Sequence, residues 1–67
     1  MVTIHLNGEA RDIDEGQDLA TVVERLDLPA KRIAVELNGT VIRRVDWPGT
    51  LLNEADRIEV VHFVGGG

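Results

Sequence analysis

A chain of 67 residues with 43% apolar content, no cysteine and a net charge of −5 describes one small acidic domain whose core must hold the fold alone. The missing cysteines exclude a disulfide framework and thiolate metal sites. With 12 acidic against 7 basic residues, nucleic acid and anionic membrane surfaces are disfavoured, and a partner protein with a positive surface fits better. The opening MVTIHLNG has no basic leader, and no run of ~18 apolar residues follows, so neither a signal peptide nor a membrane span is expected and the cytoplasm is the expected location.

The first predicted element is a half-buried strand, with Val2, Ile4 and Leu6 on one face and Thr3 and His5 on the other. Asn7-Gly8 is a hairpin signal, because both central residues of such a turn need positive φ. EARDI is the returning strand and ends before Glu15-Gly16. Leu19, Val22, Val23 and Leu26 then fall on one helix face, with Asp18 as N-cap and Pro29 closing the segment. RIAVELNGTVIRR predicts a second strand pair around Asn38-Gly39, with Ile33, Val35 and Leu37 sharing a face. VDWPGTLLNEAD reads as a loop, and RIEVVHFV as the last strand. There Ile58 and Val60 point inward, while Val61 and Phe63 have the opposite parity.

Two hairpins, one helix between them and a final strand imply an α+β fold in which the helix covers one face of a mixed sheet. The first and last strands lie side by side in the middle, which is the β-grasp arrangement of ubiquitin-like domains. The domain is expected over residues 1–64, and a flexible glycine tail over 65–67.

The usual catalytic constellations are missing, since the chain has no Ser, Cys or Tyr. If the first and last strands pair, His5 and His62 could approach one another, but two imidazoles without a third ligand make a poor metal site. The carboxylates of DIDEG read as an acid pair or as a solvated turn, and a catalytic pair would need a pocket. Trp47 is either a loop anchor over the edge of the core or an interface residue. Arg43 and Arg44 are either partner contacts or solvated strand ends.

The residues that stand out are Gly65, Gly66 and Gly67, directly after a strand. Without Cβ atoms they can lie extended in a narrow groove, and no side chain blocks the terminal carboxylate. A carboxylate is a poor acyl donor until ATP converts it to an acyl-adenylate with a good leaving group. That pattern suits a protein substrate with a rigid handle and a thin reactive end, and no enzyme.

At this point the chain resembles the sulfur carrier proteins of thiamin biosynthesis, the ThiS type. The resemblance runs the full length, through NGE, EG, IAVELNG and RRVDW, and above all ADRIEVVHFVGGG. It implies that a ubiquitin-activating-like enzyme adenylates Gly67 with ATP, and that sulfur from a cysteine desulfurase relay converts it to a thiocarboxylate. Thiazole synthase would take that sulfur. Gly65 and Gly66 match the thin tail, and Val61, Phe63 and Val64 match the partner-binding surface. No bound cofactor or metal is implied. Two positions depart from the family pattern: Arg43 stands where a proline is common, and Ala55-Asp56 where Gly-Asp is common, so Ala55 costs stability if that turn needs positive φ. A sulfur carrier for molybdopterin synthesis, or a ubiquitin-like interaction module without chemistry, remain the alternatives.

Overall fold

Apolar residues at alternate positions and two Asn-Gly turns generate most of the architecture. The computed structural model describes residues 1–26 and 33–62. Strand β1 (Val2–Leu6) turns at Asn7-Gly8 into β2 (Glu9–Ile13), and β3 (Ile33–Leu37) turns at Asn38-Gly39 into β4 (Thr40–Ile42). Asn7 and Asn38 have φ of 48° and 51°, and Gly8 and Gly39 follow at 85° and 87°. Both central residues of each turn are therefore left-handed, and the right-handed twist of the paired strands demands this.

The single α-helix α1 (Leu19–Arg25) lies between the two hairpins in the chain, and β5 (Arg57–His62) comes last. The five strands form one sheet in the order β2-β1-β5-β3-β4. β5 runs parallel to β1, with His5 opposite Arg57 and Leu6 opposite Ile58, and antiparallel to β3 from Leu37↔Ile58 to Ile33↔His62. The expected central pairing of first and last strands is thus present, and the fold is the β-grasp. Phe63, Val64 and the glycine tail, like Pro29, lie outside the described residues, and so does the expected boundary between residues 64 and 65.

One face of the sheet is apolar and carries the helix. Ile4, Leu6 and Ile13 from the first hairpin, Ile33 and Val35 from β3 and Ile58 from β5 meet Leu19, Val22 and Val23 of α1. Leu26 and Leu37 are only partly buried at the margin. Asp18 caps the helix as its sequence position predicts, its carboxylate accepting from Thr21 N–H at 2.8 Å. The helix has seven residues, and no helix among those described is long and apolar enough to cross a membrane.

The segment expected to be a plain loop has more structure than its composition signals. A 3-10 turn spans Arg44–Asp46, and the chain after it closes the end of the core with Trp47 and Leu52. Leu19 N–H donates to Thr50 C=O, Leu52 N–H donates to Gln17 C=O, and the second oxygen of Asp18 accepts from Gly49 N–H at 3.1 Å. The orphan donors at the start of α1 are therefore satisfied by a segment thirty residues away in sequence, which composition alone does not reveal.

Candidate functional site

The functional segment hangs from β5, so what fixes β5 fixes its starting point. Ile58 is fully buried, and alternation along the strand turns Glu59 and Val61 to the face away from the helix. Val61 is 52% exposed and sits directly opposite Ala34 of β3. Val41 of β4, 63% exposed, lies on the same face. The outward parity predicted for Val61 is present, and an apolar patch accompanies it. Phe63, Val64, Gly65, Gly66 and Gly67 lie outside the described residues.

Two side chains hold β5 that the sequence reading treated only as turn formers. Asn7 Oδ1 accepts from Val60 N–H at 2.8 Å. Asn38 Oδ1 accepts from Arg57 N–H at 2.9 Å, while its Nδ2 donates to Asp56 Oδ1 at 3.0 Å. Each Asn-Gly turn thus reaches sideways and ties down the central strand, one from the β1 side and one from the β3 side. The signal was the repeated Asn-Gly, but its second meaning becomes visible only when β5 is placed between the hairpins.

The remaining candidates separate. His5 pairs in register with Arg57 on the outer face, whereas His62 is five residues further along β5 and has the parity of the helix side. The two imidazoles do not approach one another, because equal position in a strand pattern says nothing about stagger between strands. Among the described residues, no group of three metal-binding side chains comes together.

The DIDEG carboxylates are a solvated turn. Asp12 accepts from the Thr3 hydroxyl at 2.7 Å and Asp14 pairs with Arg25 at 3.4 Å. Both aspartates line an open depression of about 230 Å³ with Gln17 and Leu26, where each already has a donor of its own. Trp47 is the loop anchor: 5% exposed, with its ring N–H donating to Ile42 C=O at 3.0 Å. Arg44 stacks over its ring at 5.1 Å and Arg43 pairs with Asp46 at 3.4 Å.

Asp18 is the one carboxylate held below the ordinary aspartate range, first by Thr21 through side chain and backbone and then by Gly49 N–H. It caps a helix and takes no part in a reaction centre. The described residues thus form a rigid mount for β5, with chemistry left to whatever β5 carries.

Residues 4–67 match the ThiS family model, from the first strand through the three glycines. The chain belongs to the ThiS family. The sulfur carrier protein ThiS of Thermus thermophilus is 36% identical over 64 residues, covering 96% of this chain and 98% of that protein. The crystal structure of the thiamine biosynthesis protein ThiS from Geobacter metallireducens superposes with a TM-score of 0.88 at 29% identity, covering 98% of this chain and all of that one. A thiazole synthase of Magnetococcus marinus is 42% identical over 64 residues. This ThiS-family chain spans only 20% of that protein's length, so the relative joins a similar segment to a much longer polypeptide.

Proposed function

We propose that the chain carries sulfur for formation of the thiazole ring in thiamin biosynthesis, with Gly67 as the atom-bearing end. As a ThiS-family chain it is a carrier and not a catalyst: partner enzymes act on it. The observation that carries this reading is the family match running through the last strand to Gly67. The relatives named for thiamin biosynthesis and thiazole synthesis favour that pathway over molybdopterin synthesis.

The chemistry follows from what a carboxylate lacks. A ubiquitin-activating-like partner would let the Gly67 carboxylate attack the α-phosphorus of ATP, expelling pyrophosphate. A persulfide from a cysteine desulfurase relay would then displace AMP, which leaves with one of the former carboxylate oxygens. Cleavage of the S–S bond by a thiol would leave the thiocarboxylate. Thiazole synthase would receive that sulfur. Gly65 and Gly66 admit the end to a narrow active-site channel because no Cβ widens the chain. The exposed Val61, continued by Phe63 and Val64, supplies apolar contact beside that channel. ATP belongs to the activating partner, and the chain needs no bound cofactor of its own. Residues 1–64 act as the handle and 65–67 as a flexible tail.

The test is the intact mass after incubation with the adenylating enzyme, ATP and a sulfur source. Exchange of one oxygen for one sulfur, located at Gly67 by fragmentation, is the expected result. An unchanged mass with an active enzyme control would return the chain to a plain interaction module.

A further inference from the structure

Backbone groups alternate sides along a strand, and β5 uses that alternation unevenly. Asn38 N–H donates to Arg57 C=O at 2.7 Å, so Arg57, and with it Glu59 and Val61, face β3. Ile58, Val60 and His62 therefore direct their N–H and C=O groups toward the β1 side. Asn7 answers two of these groups: its N–H donates to Ile58 C=O at 2.8 Å, and its side-chain oxygen accepts from Val60 N–H at 2.8 Å. At that point the chain turns away through Gly8. The β1 register ends at Leu6↔Ile58, whereas β3 accompanies β5 as far as His62.

Val60 C=O, His62 N–H and His62 C=O consequently point past the first hairpin, without a hydrogen-bond partner among the described residues. The result is a notch one strand wide, bounded by the Asn7-Gly8 turn on one side and by β3 behind. The outer edges of the sheet are less inviting. β2 carries Glu9, Arg11 and Asp12, and β4 is only three residues long.

We propose that an extended backbone segment of thiazole synthase completes this notch, accepting from His62 N–H and donating to Val60 C=O. The proposal rests on the carrier reading above. The choice of occupant follows from the Magnetococcus thiazole synthase, in which a segment 42% identical to this chain is part of the enzyme's own polypeptide. Covalent linkage of that kind holds an edge and its complementary strand at high effective concentration. Strand addition also suits a carrier, since backbone pairing fixes register. Five residues separate His62 from the end of Gly67, a reach of at most about 17 Å. A slip of one two-residue repeat would move that reach by about 7 Å, enough to miss an acceptor.

The experiment uses the full chain and the thiazole synthase of the same organism. Amide exchange at His62 is expected to slow by about tenfold or more in the complex. His62→Pro deletes the outward donor while the β3-facing groups of Glu59 and Val61 remain. It is expected to weaken binding by about tenfold, whereas His62→Ala, which keeps the N–H, binds like the wild type. If His62→Pro loses its folded spectrum, N-methylation of the His62 amide by semisynthesis replaces it, with the same expected loss.

Rapid His62 exchange in the complex, wild-type affinity of the proline or N-methyl variant, equal damage from His62→Ala, or no complex at all would each overturn the proposal. Sulfur uptake measured by mass separates this from the carrier reading. Uptake by the wild type leaves that reading standing whatever happens at the notch, and its failure removes both.

Discussion

At the scale of single residues, two positions carry costs and debts that substitutions expose. Ala55 has φ of 70°, which is left-handed territory for a residue with a Cβ. Its N–H donates to Thr3 C=O at 2.7 Å, so the turn is held by tertiary contact despite the strain. Left-handed backbone costs an L-residue about 1–2 kcal/mol, and glycine returns part of that as entropy of the unfolded chain. Ala55→Gly is expected to stabilise the fold by about 0.5–1 kcal/mol, read as a rise in the chemical denaturation midpoint. Asp18 is the opposite case. Its carboxyl is held below the ordinary aspartate range by Thr21 and then Gly49. A lowered folded value contributes stability that is complete above the unfolded aspartate value and is lost as pH falls through the folded one. Asp18→Ala should lower the melting temperature by a few degrees at neutral pH. The gap to wild type should close in acid, and a pH-independent gap would assign the loss to packing.

At the scale of elements, the sheet depends on side chains that reach between strands. Asn7→Gly keeps the left-handed turn but removes the oxygen that accepts from Val60 N–H. One hydrogen bond of this kind is worth about 1 kcal/mol, so the melting temperature should drop by about 4–8 °C. Amide exchange should accelerate at Val60 before other positions of β5. Glu36 and Glu59 present the reverse situation, being directly opposed in the β3–β5 register on the face away from the helix. Opposed like charges destabilise a strand pair by up to about 1 kcal/mol. Glu59→Gln is therefore expected to raise the melting temperature in low salt, and the gain should shrink as salt screens the wild-type pair.

These elements also show how far a sequence can be read. Period-two alternation placed β1, β3 and β5, and Asn-Gly placed both turns, because each signal is local. The 3-10 turn at Arg44–Asp46 and the seating of Trp47 against Ile42 C=O were not legible, since they depend on where the helix end lies. The distance between His5 and His62 failed for a related reason. Residue pattern fixes the face of a strand but not its stagger, and stagger put five residues between them. The candidate site was legible as composition, in three glycines after a strand, and its mount as alternation. The clamp formed by Asn7 and Asn38 required the strand order first.

At the scale of the whole molecule, handle and tail divide the labour. The core of Ile4, Leu19, Val22, Val35 and Ile58 is complete without residues 65–67. Deleting Gly66 and Gly67 is expected to abolish sulfur uptake in the mass assay while leaving the melting temperature within about 2 °C of wild type, since surface changes away from packed features move stability little. A large fall in melting temperature would mean that the glycines support the domain.

The parallel pairing of β1 with β5 has a mechanical consequence. Tension applied between Val2 and His62 would pull these adjacent strands in opposite directions along their length. The bonds from His5 N–H to Asp56 C=O, from Asn7 N–H to Ile58 C=O and from Val60 N–H to the Asn7 side chain would then be loaded together in shear. A handle built this way resists stretching as a unit and yields abruptly, so a motor drawing in the tail would stall at β5 before it could unravel the rest.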